Sequence, residues 1–95
     1  MNIETNAHVI TVKGNIASIS DFEEIKGTLE ELRSQHNKII LKIHDSLVIN
    51  SSLIGYLVKI VKQDGITVNL LAGNDILYEL LDDLGLAKTL NLQKV

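Results

Sequence analysis

The feature that most constrains the fold is an alternation of two hydrophobic periods along the chain. Stretches in which apolar residues recur every three or four positions, the period of an amphipathic helix, are separated by short apolar runs of strand length. The predicted order is β(β)-α-β-α-β-α-β, with strands at 8–13, 38–43, 66–71 and 89–92 and a further short strand at 2–6. This order predicts an α/β fold whose parallel neighbours are joined by right-handed crossovers.

The first helix is predicted to begin at Ser20. Glu23 lies three residues later, which is the spacing of a capping box, where each side chain binds the other's free backbone N–H. Apolar residues then recur at helical spacing between acidic and basic ones, and the helix is expected to end near residues 35–37.

Two further helices are predicted downstream. One starts at Ser52 and runs to Asp64, and the other is capped by Asn74 and closed by Gly85. Each predicted helix has a single apolar stripe. We therefore expect a mixed sheet of four to five strands with about three helices packed on it, forming one domain over residues 1–95.

Composition excludes several classes of function. Leu, Ile and Val supply 15, 13 and 7 of the 95 residues, whereas only three residues are aromatic. An acidic chain, of formal charge −3, without a basic patch or stacking aromatics is not expected to bind nucleic acid. The chain has no cysteine, which is compatible with the cytoplasm. No apolar run approaches about 18 residues and the N-terminus lacks a signal-peptide pattern, so no membrane insertion is expected.

Catalytic and metal-binding patterns are weak. His44, Asp45 and Ser46 are consecutive and cannot converge as a catalytic triad does, so they are interpreted as a polar loop. His8 and His36 stand alone, and no residues have the spacing of a zinc site or of a phosphate-binding glycine loop. We therefore expect no metal and no cofactor. An enzyme or nucleotide-binding protein is the third hypothesis, and it would require His44, Asp45 and Ser52 to line one pocket.

The stretch from Asn50 to Gln63 carries the most informative pattern. Projected at about 100° per residue, one broad face is aliphatic and consists of Leu53, Ile54, Leu57, Val58, Ile60 and Val61. The opposite side carries a stripe made of Ser52, Tyr56, Lys59 and Gln63, with Gly55 and Lys62 at its borders. We expect the aliphatic face to be buried and the stripe to form a recognition surface. Tyr56, and Tyr78 on the third helix, are both predicted to point outward.

Ser52 allows two interpretations. A serine at a helix N-terminus commonly caps free backbone N–H groups, although Asn50 or Ser51 could equally fill that role. Alternatively, Ser52 is a phosphorylation site, because a phosphate there would face the positive end of the helix and gain hydrogen bonds from free amides. The added negative charge would release a partner without unfolding the domain.

Four segments occur in the order and spacing of a known family. Residues 50–55, Asn-Ser-Ser-Leu-Ile-Gly, follow a strand, and residues 65–70, Gly-Ile-Thr-Val-Asn-Leu, form the next one. Residues 80–86, Leu-Leu-Asp-Asp-Leu-Gly-Leu, close the third helix, and Gly-Asn-Ile at 14–16 precedes the first. Together these segments resemble the STAS family, the sulphate-transporter and anti-sigma-factor-antagonist domain, whose loop typically reads Asp-Ser-Ser-Gly-Leu-Gly.

The resemblance implies a STAS-like mixed sheet and a binding module that is not an enzyme. In the family the second serine of the loop is often phosphorylated reversibly by a partner kinase, and that serine corresponds to Ser52, with Ser51 as the alternative. The chain departs from the family at Asn50 and Leu53, where typical members carry aspartate and glycine. It also carries Lys42 where many members have aspartate.

The leading hypothesis is an anti-sigma-factor-antagonist-like module that regulates transcription by partner switching in bacterial signalling. It would dock a serine kinase or switch protein through the helix starting at Ser52, and the predicted partner-binding residues are Asn50, Ser51, Ser52, Gly55, Tyr56 and Lys59. The alternative is a non-phosphorylated STAS subunit of a larger complex, such as a lipid-transport ABC system, that holds an ATPase. Both hypotheses place the chain in the cytoplasm, and neither specifies its oligomeric state.

Overall fold

Strands and helices alternate through the chain after an N-terminal hairpin. A computed structural model describes all of residues 1–95. The elements are β1 (Asn2–Asn6), β2 (Val9–Lys13), α1 (Ile19–Arg33), β3 (Lys38–Ile43), α2 (Ser51–Lys62), β4 (Thr67–Ala72), α3 (Asp75–Asp83) and β5 (Gln93–Lys94). None of the three helices is long and apolar enough to cross a membrane.

The sheet confirms the predicted α/β fold. Its five strands lie in the order β1-β2-β3-β4-β5, with β1 antiparallel to β2 and all other neighbours parallel. Each crossover therefore moves one strand further in the same direction. Because such crossovers are right-handed, all three helices lie on one face of the sheet. We call this the inner face, and the opposite one the outer face.

The core lies between the inner face and the helices. Along β3, Ile39, Leu41 and Ile43 are fully buried, whereas the alternating Ile40 and Lys42 are half-buried on the outer face. The same alternation holds in β2 and β4, as expected when a strand is covered on one side. Twenty buried residues form one cluster, and all but Ala72 and Tyr56 are Leu, Ile or Val. The predicted aliphatic core is confirmed.

The predicted start of α1 was wrong by two residues. The N-cap is Ser18, whose Oγ accepts a hydrogen bond from the Asp21 N–H at 3.0 Å. Asp21 completes the capping box by accepting from the N–H groups of Ser18 at 3.2 Å and Ala17 at 3.1 Å. These backbone donors hold the pKa of the Asp21 carboxyl below its usual range. Ser20, two residues after the cap, lies inside the first turn.

The predicted strand at 89–92 was also wrong. Residues 87–91 form turns, and the strand follows at Gln93–Lys94. Asn91 ends the turns in the left-handed region, with φ of 45°, and its side-chain amide donates to the Val68 carbonyl at 3.0 Å. Leu90 and Leu92 are buried, so their alternation reflects burial within a turn rather than a strand.

The two ends of the parallel strands form two distinct edges. The upper edge is defined as the carboxyl ends of β2–β4, with the loops at 14–18, 44–50 and 73–74 and the helix N-termini that follow them. The lower edge carries the loops at 34–37 and 63–66. In open α/β sheets, ligands bind beyond the carboxyl ends of the strands where the strand order reverses, and this sheet has no such reversal.

Candidate functional site

The N-terminus of α2 is capped by Asn50. Its Oδ1 accepts a hydrogen bond from the Leu53 N–H at 2.8 Å, and its amide donates to the Ser18 carbonyl at 3.4 Å. The helix begins at Ser51, one residue before the predicted start at Ser52. The capping interpretation of Ser52 was therefore wrong, because Asn50 caps the helix.

Both helix serines remain free. Ser51 and Ser52 are exposed, and neither hydroxyl makes a hydrogen bond. They occupy the first two positions of α2, whose first turn contains no acidic residue. The positive end of the helix dipole at this point is therefore not offset by a neighbouring carboxylate. Leu53 points into the core and is fully buried, which confirms its predicted orientation.

Ser46 anchors the loop that precedes α2. It is fully buried, and its Oγ accepts from the Ile16 N–H at 3.1 Å and donates to the Val48 carbonyl at 2.7 Å. Beside it, the Asp45 Oδ1 accepts from the Gly14 N–H at 2.7 Å. The predicted polar loop is confirmed. Asp45 and Ser46 accept hydrogen bonds from the backbone of the β2–α1 loop, and neither hydrogen-bonds to Ser52.

The β4–α3 loop is also hydrogen-bonded to Ser46. Asn74 caps α3 as predicted, with its Oδ1 accepting from the Leu77 N–H at 2.8 Å, and its amide donates to the Ser46 carbonyl at 3.0 Å. Gly73 lies against the main chain of β3, so that a Cβ here would collide with the His44 carbonyl oxygen. Three helix N-termini are thus held together at the upper edge by side-chain hydrogen bonds to backbone.

A group of exposed apolar residues lies along the same edge as the serines, and we call it the apolar rim. Its members are exposed by 73% at Ile19, 48% at Leu47, 48% at Val48 and 58% at Ile76. Each lies in a loop or a first helical turn of the upper edge. Sequence reasoning missed the rim. Leu47 and Val48 fall outside both the predicted strands and the predicted helices, which was the available clue.

Tyr56 is not on the surface, so its predicted outward orientation was wrong. It is only 7% exposed and lies between α1 and α2. Its ring meets Phe22 edge-on, with centroids 6.4 Å apart, and the Lys26 ammonium lies 5.6 Å from the ring centroid. The hydroxyl is buried and makes no hydrogen bond of good geometry. Burial raises the pKa of Tyr56, and the nearby Arg33 guanidinium opposes that rise.

The other predicted site residues remain accessible to different degrees. Gly55 and Lys59 are exposed on α2, and Asn50 is half-buried at its cap. Tyr78, predicted to point outward, is half-buried and packs against the core. The exposed residues of α2 are therefore Ser51, Ser52, Gly55, Lys59 and Lys62, and none of them is aromatic.

A cavity of about 550 Å³ opens at the opposite, lower edge. No hydrophobic residue lines it, and its seven lining residues are His8, Arg33, Ser34, Gln35, His36, Asn37 and Lys38. The rings of His8 and His36 have centroids 6.0 Å apart. The structure contains no group of three or more histidine or carboxylate side chains arranged to hold a metal ion. His44, Asp45 and Ser52 do not line this cavity.

Comparison of the chain with models of known protein families, with curated proteins and with solved structures finds no match. Function is therefore inferred from the geometry of the upper edge. This edge presents two unbonded hydroxyls at the N-terminus of α2, together with the apolar rim, on loops that are hydrogen-bonded to one another.

Proposed function

We propose that this chain is a regulatory module that binds a partner protein through its upper edge. The observation that carries the proposal is the capping of α2 by Asn50, because it leaves Ser51 and Ser52 exposed and unbonded beside the apolar rim. Exposed apolar side chains grouped on one surface are typical of protein interaction sites. The hydrogen-bonded loops below them provide a preformed surface, which lowers the cost of ordering on binding.

The partner we propose is a serine kinase or switch protein of the anti-sigma-factor type, acting in the cytoplasm. This choice follows the resemblance of residues 50–55 to the STAS loop. In this proposal Ser52 is the phosphoacceptor and Ser51 the alternative, while Gly55 and Lys59 extend the contact along α2. Tyr56 has no part in it, since its ring is enclosed by α1.

Phosphorylation of Ser52 would act on docking rather than on folding. A phosphate carries about −1.5 to −2 charges at neutral pH, and at the second position of α2 it would be stabilised by the helix dipole and free N–H groups. On the partner side, the same charge would be brought against the exposed Leu47 and Val48. Desolvating a phosphate in an apolar contact is unfavourable, so the modified form is expected to release its partner.

The test begins by isolating the partner with tagged protein from the cells that produce it and identifying it by mass spectrometry. Calorimetric titration then compares its affinity for the wild type and for Ser52→Ala and Ser52→Asp variants. We expect Ser52→Ala to change the Kd by less than about twofold and Ser52→Asp to weaken it at least about tenfold, equivalent to 1.4 kcal/mol.

Gln63→Glu is the matched control, because it adds the same charge at the other end of α2. It should leave the Kd unchanged. Equal affinities for Ser52→Ala and Ser52→Asp would refute the phosphorylation switch. Loss of binding in the control as well would show that net charge, rather than position, determines the effect.

A second candidate function is favoured by the neutral cap. Asn50 stands where STAS proteins with a phosphorylation switch typically have aspartate, and the first turn of α2 lacks any acid. We propose as the alternative a permanent STAS subunit that holds the ATPase of a lipid-transport ABC complex through the same edge. In that case the partner isolated above is an ATPase, no phosphate is found on either serine, and phosphatase treatment leaves the complex intact.

A further inference from the structure

The outer face of the sheet is uncovered, which is unusual for parallel strands. Sheets of parallel strands occur almost only with both faces buried, and β2–β5 are parallel. All three helices lie on the inner face, so nothing in the chain packs on the outer one. The outer-face residues of the three central strands are Val9, Thr11, Lys13, Lys38, Ile40, Lys42, Thr67, Asn69 and Leu71.

Three apolar side chains form a diagonal across this face. Val9 pairs directly with Ile40 on the neighbouring strand. Leu71 is two residues beyond Asn69, the partner of Ile40 on β4, and is therefore its diagonal neighbour. All three are half-buried, and none is among the residues that pack against the core. The diagonal thus spans the three central strands and has no cover.

Positive charge flanks this diagonal. Lys38 and Lys42 lie two residues to either side of Ile40 on β3, so they share its face. Neither makes a salt bridge, whereas Lys13 is paired with Glu4 at 3.8 Å. Glu4 is the one carboxylate on the outer face, since every other acidic residue lies on a helix or in a loop. The outer face is therefore basic, although the chain as a whole has a formal charge of −3.

The spacing of the diagonal suits a helix. Val9 and Ile40 are direct neighbours about 4.8 Å apart, and Leu71 is about 7–8 Å from Ile40 as its diagonal neighbour. An α-helix rises about 5.4 Å per turn, so the apolar residues of about two turns laid along the diagonal would cover Val9, Ile40 and Leu71 in succession. Carboxylates on either side of that apolar stripe would meet Lys38 and Lys42.

We propose that the outer face docks an acidic amphipathic helix of a partner protein, completing a helix–sheet–helix sandwich. A second copy of the chain fits less well. Face-to-face packing of two outer faces would bring Lys38 and Lys42 of one copy against those of the other, and the one outer-face carboxylate, Glu4, is already paired with Lys13. This docking is independent of the upper edge, because the outer face is separated from α2 by the thickness of the sheet.

The test uses a designed peptide as the probe. It has about four helical turns, with leucine at positions i, i+4 and i+7 and glutamate on both sides of that stripe. A control peptide carries lysine in place of every glutamate. Each is titrated into the isotope-labelled protein and followed by two-dimensional NMR. We expect the glutamate peptide to shift the amide signals of Val9, Ile40 and Leu71, and the lysine peptide to leave them unchanged.

Substitutions on the outer face and on α2 test where the peptide binds. Lys38→Glu/Lys42→Glu should weaken peptide binding at least about tenfold, equivalent to 1.4 kcal/mol, and Ile40→Thr should weaken it while preserving a strand-forming residue. Lys59→Glu on α2 is the charge control, and Ser52→Asp tests independence from the upper edge. Both should bind the peptide as the wild type does.

Three results would overturn the proposal. One is equal binding of the two peptides, or no binding of either. Another is a shift pattern centred on the upper edge instead of the outer face. The last is self-association of the free protein, detected by sedimentation, that is abolished by Ile40→Thr, because it would assign the outer face to a second copy.

Discussion

The two edges of the sheet contain similar polar residues and use them differently. On the upper edge, the side chains of Asp45, Ser46 and Asn74 hydrogen-bond to the backbone of neighbouring loops and hold three helix N-termini together. On the lower edge, the one hydrogen bond between charged side chains joins Arg33 to Asp64 at 2.8 Å, and an open polar cavity lies beside it.

This difference distinguishes residues that stabilise the fold from residues that are available for binding. On the upper edge the buried Ser46 hydrogen-bonds to the backbone, whereas the exposed Ser52 makes no hydrogen bond. On the lower edge the exposed charges pair with one another and contribute little to stability. The upper edge therefore has the properties of a preformed binding surface, whereas the lower edge has those of an ordinary solvated surface.

The largest expected effect is at Gly73. Gly73→Ala would place a Cβ against the His44 carbonyl oxygen and force β3 and β4 apart at the upper edge, which should cost about 3 kcal/mol or more. Gly65→Ala on the lower edge meets no neighbouring atom, and its only strain is a left-handed φ of 71°, which costs about 1–2 kcal/mol. Urea unfolding monitored by circular dichroism measures both. If Gly65→Ala lowered the free energy of unfolding more than Gly73→Ala does, the upper edge would not be the more tightly packed of the two.

The next effect separates two serines of the upper edge. Ser46→Ala removes the buried hydroxyl that accepts from the Ile16 N–H, leaving that donor unsatisfied, and should lower the free energy of unfolding by about 1–3 kcal/mol. Ser52→Ala should change it by less than about 0.5 kcal/mol, since the hydroxyl bonds nothing. Similar losses in the two variants, measured by the same urea titrations, would mean that Ser52 has a structural role.

A smaller effect is expected from the ion pair of the lower edge. Asp64→Asn leaves the shape of the side chain nearly unchanged and removes the charge facing Arg33, with an expected loss of about 0.2–1 kcal/mol. Because both side chains are partly exposed, the loss should shrink in concentrated salt. A salt-independent loss of several kcal/mol would show that the lower edge is as tightly built as the upper one.

The smallest effect concerns the pH dependence of the upper edge. The folded-state pKa of Asp21 is lowered by backbone donors, so its contribution is present above the ordinary carboxyl range near pH 4 and is lost as the pH falls through the folded-state pKa. The unfolding free energies of the wild type and Asp21→Asn should therefore differ at neutral pH and converge in acid. Glu23→Gln, which removes an exposed carboxylate of the same helix, is the control. A constant difference across this range would contradict the assignment.

Periodicity was sufficient to predict the elements from β2 to α3, because each has a regular apolar pattern, but it misplaced β5, which consists of the polar residues Gln93 and Lys94. The cap of α3 at Asn74 and the burial of Leu53 also follow from the sequence. The start of α1 does not, because both Ser18–Asp21 and Ser20–Glu23 have capping-box spacing. The choice between them depends on the loop before the helix, which is positioned by Ser46, 30 residues away along the chain.

The site was predicted only in part, since a helical projection describes one helix in isolation. It placed Tyr56 opposite the aliphatic face of α2, but Phe22 and Lys26 of α1 cover that side. The apolar rim is assembled from one loop and the first turns of two helices that are distant in sequence, so no single periodic pattern contains it. The uncovered outer face depends on strand order, which alternation alone leaves open.

The strand order has a consequence for how the chain is made. Every strand after β1 pairs with the strand that precedes it in the sequence. No strand therefore needs a distant segment as its first partner, and none inserts between two strands that are already paired. As the polypeptide leaves the ribosome, each new helix and strand can add to the edge already formed. The hairpin of β1 and β2 would start this growth, and the two residues of β5 would complete it. We expect the nascent protein to acquire its structure from the N-terminus onward, with little exposure of unpaired central strands.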